Sequence, residues 1–349
     1  MTRLIEFRIE HADILNFAAD VVAMKYAKAF YGVDQQIARA ITQKGVSLVD
    51  LRPRGEGDYR YVDTRAGIKA EHVLYVAVTE LYDFGYREIL EFAKMVLQIL
   101  QVEAPDTRHL AMTIHGASYG LDEIESLLNQ FSGYIEAFEA GILPEMLERI
   151  SIVDFNGDRV QRLRTGMEQI LADADYASRV DSGWAYHLEV GTPQQRRGHA
   201  GVIMTPRRRT VDVAGVESEA KPHVFVAMPF RKDMDDVFYY GIQGPVRQAG
   251  YLCERVDQEV FTGEIMERVR KRIETSAVVI AELSGANPNV YLEVGYAWGK
   301  GRPTILLISD EQELRFDVRG QRCLAYERIK DLEEALAKEL EGLKTQGII

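Results

Sequence analysis

"SAVVIAELSGANPNVYLEVGYAWGKGRPTILLIS", residues 276–309, decides how this chain is read. "AVVIAELS" (277–284) is a continuous apolar run bounded by a turn, the pattern of a strand buried on both faces. Ser284, Gly285, Ala286, Asn287, Pro288 and Asn289 make a tight polar turn. Asn287 suits a helix N-cap and Pro288 the first helical position. "PNVYLEVGYAWGKG" (288–301) then has helical character, and "PTILLIS" (303–309) is a second buried strand. Strand, helix and strand in succession imply parallel pairing through a right-handed crossover. The helix carries one carboxylate, Glu293, among Val290, Leu292, Val294, Tyr296, Ala297 and Trp298. It reads either as a dipole-favoured acid in the N-terminal half of the helix or as a group that does chemistry.

The same alternation extends outward. "HVFVAMPF" (223–230) and "YLCERVD" (251–257) read as strands. "MDDVFYYGIQGPVRQAG" (234–250), "GEIMERVRKRIETS" (263–276) and "IKDLEEALAKELEGLKTQ" (329–346) read as helices. Residues 221–349 are therefore expected to form a doubly wound parallel sheet. Such sheets bind ligands at the carboxyl ends of their strands. Those ends gather Met228, Pro229 and Phe230, then Arg255 and Asp257, then Glu282, Ser284 and Gly285, and finally Asn287, Asn289 and Glu293, with Tyr296 on the face of Glu293. Arg255 and Asp257 fit mutual pairing as well as a ligand role, and Glu282 fits a strand-end surface acid.

Residues 1–150 repeat the theme with a sheet of their own. "LIEFRIEH" (4–11), "DVVAMKYA" (20–27), "HVLYVAVTEL" (72–81) and "RHLAMTIHG" (108–116) are strand-like. "GVDQQIARAITQKG" (32–45), "REILEFAKMVLQILQVE" (87–103) and a segment beginning near Asp122 are helical. Residues 151–220 read as a linker, helical over "DRVQRLRTGMEQILADADYASRV" (158–180). Beyond that helix, Arg196, Arg197, Arg207, Arg208 and Arg209 make either a solvated loop or an anion-binding arm, with Trp184 and Tyr186 able to dock.

The chain has 349 residues, 46% hydrophobic and 28% charged, which suits two globular domains. A net charge of −12 disfavours broad binding to nucleic acid or anionic membranes. The two cysteines, Cys253 and Cys323, lie far apart in apolar or strand-like settings and read as reduced thiols. No signal-type start or membrane-length apolar run is present, so a cytoplasmic location and no membrane partner are expected.

"VFVAMPF", "VIAELSGANPNVYLEVGYAWGKGRPTILL" and "FDVRGQRCLAY" resemble the nucleoside 2-deoxyribosyltransferase-like group, a flavodoxin-like relative of TIR domains, over roughly residues 221 to 340. The pattern Glu-x-Gly-Tyr-Ala at Glu293 is the most specific part of the match. The resemblance implies that Glu293 attacks an anomeric carbon and that Met228, Pro229 and Phe230 wall a nucleoside pocket. Where the transferases carry Asp-x-Gly-Thr, this chain has Asn287, Pro288 and Asn289. A neutral base needs a proton to leave, and asparagine cannot supply it. Nicotinamide in NAD is already cationic and leaves neutral. The substitution therefore favours NAD, as in TIR-type NAD hydrolases, unless Glu282 or Asp257 is the acid.

"HADILNFAADVVAMKYAKAFYGVDQQIARAI" and "LAMTIHGASYGLDEIES" resemble a macro domain, a three-layer α/β fold shared with the N-terminal domain of leucine aminopeptidases, over about residues 3 to 140. The resemblance implies an adenine contact at Asp13 and Ile14, a ligand-facing turn at Gly32, Val33 and Asp34, and a diphosphate cradle at Gly116, Ala117, Ser118, Tyr119 and Gly120. "AMKYAKAFYG" stands where the family has an asparagine-rich and glycine-rich loop, with bulky Phe30 and Tyr31, which argues against ADP-ribose hydrolysis and leaves nucleotide sensing or a scaffold.

The expected function is cleavage of an N-glycosidic bond in NAD or a related nucleotide by Glu293, in a homo-oligomeric stress or antiphage defence protein regulated by the macro-like half. The alternatives are deoxyribosyl transfer between bases and a non-catalytic nucleotide-binding module. NAD or a nucleotide enters as substrate or ligand; no cofactor and no metal site are expected.

Overall fold

The structure, a computed structural model, describes residues 3–81, 83–172, 174–181, 183–191, 214–229, 231–256, 263–309, 318 and 320–349. The fold is α/β, with two sheets in two compact units. One unit comprises Met1–Gly116 and Glu123–Glu219, the other Ala117–Asp122 and Ala220–Ile349.

The first unit holds eight strands: β1 (Leu4–His11), β2 (Val21–Tyr26), β3 (Tyr59–Asp63), β4 (His72–Ala77), β5 (His109–Met112), β6 (Arg149–Asp154), β7 (Ala177–Arg179) and β8 (Ala185–Glu189). Their order is β3-β4-β2-β5-β6-β1-β8-β7. The interior pairs are parallel, and β3, β8 and β7 join antiparallel at the two edges. Helix α1 (Gly32–Thr42) covers one face, where Ile37, Ala38 and Ile41 pack on Val22, Met24, Val73 and Tyr75. On the other face α3 (Glu123–Glu139) sets Phe131 against Phe7 of β1, with ring centroids 5.0 Å apart. The layering follows from period 2: even residues of β2 meet α1, and odd residues of β1 meet α3. Gly133 lets α3 approach α2 (Tyr86–Glu103) closely, since a Cβ there would lie 2.3 Å from the Leu90 carbonyl oxygen.

Residues 151–220 are not a linker throughout. β6 is a central strand between β1 and β5, and β8 and β7 extend the same sheet. "RISIVD" (149–154) straddled the expected domain boundary, and β7 and β8 are short and carry polar residues, so neither stood out by hydrophobicity. The expected helix is present as α4 (Gly157–Leu171), capped by Asn156 Oδ1 accepting the Arg159 N–H at 2.9 Å. It stops well short of residue 180, where β7 takes over. Trp184 and Tyr186 pack within this unit, the indole 6.3 Å from the Phe7 ring. Arg196, Arg197 and Arg207–Arg209 lie outside the described residues. The short helix α5 (Val216–Ala220) follows, and Asn129 of α3 donates to Ser218 Oγ at 2.9 Å.

Two histidines are expected to make this unit acid-sensitive. His115 is buried edge-on against Phe92 with centroids 4.8 Å apart, and burial together with nearby Lys25 holds its pKa well below the usual value. Burial, with the charge of Arg149, pushes His109 down to about 4, while its ring contacts Ser151 Oγ at 2.9 Å. Above pH 6.5 both rings are neutral in the folded and unfolded chain, so they exert no pH dependence. As pH falls below 6.5 the unfolded chain takes up protons that the folded unit refuses, and stability drops. Each fully excluded ring costs about 1.4 kcal/mol per pH unit in that window. Denaturation at pH 7 and pH 5 should show the loss, and His115→Phe should flatten the slope; an unchanged slope would remove His115 from this role.

The second unit is an all-parallel sheet of β9 (His223–Ala227), β10 (Leu252–Glu254), β11 (Val278–Glu282), β12 (Thr304–Ile308) and β13 (Cys323–Ala325). A π-helical stretch, Val237–Gln243, runs into α6 (Gly244–Gln248). With α9 (Ile329–Thr345) it covers one face, packing Phe238, Ile242, Val246, Leu332, Leu336 and Leu340 on Val224, Val226, Val278 and Ile280. Helices α7 (Gly263–Thr275) and α8 (Pro288–Gly299) cover the other through Val269, Ile273, Val290, Val294 and Ala297. Buried on both faces, the strands had to be apolar without alternation, which is why they stood out in the sequence. Among the described residues, no helix is long and apolar enough to cross a membrane.

Candidate functional site

The strand order β10-β9-β11-β12-β13 is second, first, third, fourth, fifth along the chain of this unit. The connections leaving β9 and β11 go to opposite faces, so a crevice opens between their carboxyl ends. Met228 and Pro229 directly follow β9, both buried. Phe230 and Asp257 lie outside the described residues.

Glu282 ends β11 and is no surface acid: its exposure is 0%. Period 2 turns it to the α9 face, beside Ile280, while Ala281 and Leu283 face α8. Its Oε1 accepts hydrogen bonds from the Ser284 N–H at 3.3 Å, the Ser284 hydroxyl and the Tyr326 hydroxyl at 3.1 Å. The Ser309 N–H donates to Ser284 Oγ at 2.9 Å, tying β12 to the cluster. Oε2 is buried with no hydrogen-bond partner among the described residues. Burial raises the pKa of Glu282, opposed by these hydrogen bonds and by the charge of Arg231. A buried carboxyl with one satisfied and one unsatisfied oxygen can hold or pass a proton. Tyr326 and Ser309 were missed in the sequence; only their places just after strands pointed to them.

The polar turn after Glu282 is strained. Gly285 (φ +72°) and Ala286 (φ +50°) are both left-handed, the second without a glycine's excuse. Asn287 caps α8, its Oδ1 accepting the Asn289 N–H at 2.9 Å, so the Asn287 oxygen is already in use. Two turns on, Glu293 is 4% exposed, in a helix whose buried side is otherwise Val290, Val294 and Ala297. Leu292 and Trp298 face outward. Tyr296 is held elsewhere: its hydroxyl donates to Glu274 of α7 at 2.5 Å, and its ring packs on the core under α8.

Arg255, at the end of β10, is buried with its guanidinium 4.1 Å from the Phe238 ring centre and Nη2 donating to Asp235 at 3.3 Å. Burial lowers its pKa. Asp235, which the sequence reading overlooked, is thus one partner of Arg255. Glu254 faces the other way and is fully buried against Arg272 of α7, a structural ion pair.

In the first unit the expected nucleotide residues scatter among structural roles. Asp13 caps a short 3₁₀ turn, accepting from the Leu15 N–H at 3.0 Å and the Asn16 amide at 2.6 Å. Its neighbours Leu15 and Asn16 line an open groove of about 770 Å³ with Asp63, Lys69 and His72. Ile14 is a core residue packed with Val22 and Met24. Gly32 (φ +52°) opens α1 and Val33 packs on the same core. Asp34 turns inward: it is 2% exposed and accepts from Lys25 Nζ at 3.2 Å. Burial raises its pKa against the pull of Lys25. Phe30 seals this end, its centroid 5.0 Å from that of Tyr75.

The stretch read as one glycine loop divides between the units. Gly116 (φ +87°) belongs to the first, while Ala117–Gly120 belongs to the second. Ala117–Tyr119 is a single 3₁₀ turn, and Gly120 (φ +98°) abuts Val256, whose Cγ2 would lie 2.6 Å from an added Cβ. Asp122 then accepts from Arg247 of α6 at 2.6 and 2.9 Å. Gly120 is thus required by packing and conformation, whatever else it does. The side chain of Ser118 lies outside the described residues. Among those described, no cluster of three or more metal-ligating side chains occurs.

No protein-family model matches the chain, and no curated protein matches it. Among solved structures it is similar to a CMP N-glycosidase of Clostridium botulinum, at 18% identity over 34% of this chain and 98% of that one, with a TM-score of 0.29. It is also similar to a mutant macrodomain of Oceanobacillus iheyensis with ADPR, at 12% identity over 47% of this chain and 93% of that one, TM-score 0.37. A Trypanosoma brucei macrodomain in complex with ADP shares 12% identity over 46% of this chain and 67% of its own, TM-score 0.34.

Proposed function

We propose that the second unit cleaves the N-glycosidic bond of NAD or a related nucleotide, with Glu293 as nucleophile. The observation that carries this reading is a nearly water-excluded carboxylate on the helix that leaves the β11 end of the switch point. Glu293 would bond to the anomeric carbon as the carbon–nitrogen bond breaks. The electron pair of that bond goes to the pyridinium nitrogen, and neutral nicotinamide leaves without a proton. Water then hydrolyses the glycosyl ester and regenerates the carboxylate. In this reading the first unit holds an ADP-ribose-type ligand and restrains the second, as a stress or antiphage defence protein requires of an enzyme that depletes NAD.

Glu282 favours a second reading, transfer of deoxyribose between neutral bases. Burial, which raises its pKa, would suit it to the general-acid role that Asn287 cannot fill. The deciding experiment is incubation with NAD and a panel of deoxynucleosides, with mass spectrometry of the products. Free nicotinamide is the expected result. Base exchange would replace the first reading with the second, and ligands returned unchanged would leave a nucleotide-binding module.

A further inference from the structure

Arg231 follows the buried end of β9. Asp233 grips one edge of its guanidinium, accepting from Nε at 3.2 Å and from Nη2 at 2.8 Å. That clamp directs Nη1 at the turn after β11: a Cβ built on Gly285 would lie 3.5 Å from it. The turn is bent tightly beneath the cation, with Gly285 and Ala286 both left-handed and no side chain at 285. Glu282, the last residue of β11, is fully buried, with Oε2 lacking a partner among the described residues. A cation that follows β9 thus stands over the turn that follows β11, the two strands that flank the switch point.

The Arg231–Asp233 pair does not exist for stability. Both side chains are more than half exposed, at 54% and 65%, and such pairs contribute little. What the pair does is aim a guanidinium in a chain whose net charge is −12, where an anionic ligand needs a specific cation to approach. Asp233 holds the Nε and Nη2 edge, and the Nη1 side of the guanidinium is left to donate to a phosphate oxygen.

We propose that Arg231 is the specificity residue that selects substrates bearing a phosphate on the ribose 5′ oxygen, as a mononucleotide or within a dinucleotide, over free nucleosides. This rests on the glycosidic reading of the same site. Binding is measured by calorimetry on the full chain carrying Glu293→Gln, so that it is independent of bond cleavage. The probes are two pairs differing only in phosphate: nicotinamide riboside with nicotinamide mononucleotide, and deoxycytidine with its 5′-monophosphate. NAD is added as the dinucleotide. At least one phosphorylated probe should bind about tenfold or more tighter than its nucleoside, the scale of a charge-assisted contact. Arg231→Gln should collapse that ratio towards one, with thermal melting confirming the fold. Equal affinity within both pairs, no binding of any phosphorylated probe, or a ratio that survives Arg231→Gln would overturn the proposal. A phosphate preference in a native chain that cleaves nothing would sink the catalytic reading and leave this one standing.

Discussion

Glu293→Gln is expected to reduce turnover of any active substrate by on the order of 10³-fold or more, the usual cost of removing a nucleophile. The amide keeps the shape of the side chain, so α8 and its packing through Val290, Val294 and Ala297 should persist. It cannot, however, form a glycosyl ester. Melting temperature and ligand affinity should stay near native values while the rate collapses. That combination separates a chemical role from a structural one. A variant that melts early and loses binding would instead mark Glu293 as a buried acid needed by the fold. Full activity in a folded variant would exclude it from the reaction.

Lys25→Met should destabilise the first unit by about 3–5 kcal/mol, the range for breaking a buried ion pair on one side. Lys25 and Asp34 are 4% and 2% exposed, and Asp34 Oδ1 has no partner among the described residues, so the carboxylate relies on the ammonium. Removing Lys25 raises the folded-state pKa of Asp34 further above its unfolded value. The penalty is then smallest in acid, where Asp34 is protonated in both states, and grows as pH rises through the unfolded pKa towards the folded one. Lys25→Met with Asp34→Leu should recover most of the loss. Chemical denaturation of the two variants across pH checks both statements. A loss below about 1 kcal/mol in the single variant would mean that Asp34 is not held this way, and would leave open the ligand-facing role that the macro-domain resemblance implied. A loss as predicted makes Asp34 a structural acid in place of a ligand contact.

Much of this protein was legible without coordinates. The strands of the second unit are buried on both faces, so their residues are uniformly apolar, and Asn287, Pro288 and the glycines punctuate them. Period and punctuation are local properties, and local properties are carried by sequence. They were enough to place Met228 and Glu282 at the ends of strands and Glu293 on the helix that follows the turn after Glu282. They also yielded α1 to α4 and the central strands of the first unit, apart from β6 at the assumed boundary. Only the tertiary structure decided which acids meet water. Glu282 and Asp34 look alike in sequence to surface carboxylates, and burial with Tyr326 or Lys25 across long separations separates them. The edge strands β3 and β7, and β8 next to β7, are set by pairing, not by hydrophobicity, so their sequences signal them weakly. Ile14 and Gly120 carry motif-like spacing yet serve core packing and a close approach to Val256. The reason is common to all of these cases. A periodic pattern records which face of an element is apolar, whereas charge state, partner and solvent access depend on residues that folding alone brings within a few ångströms.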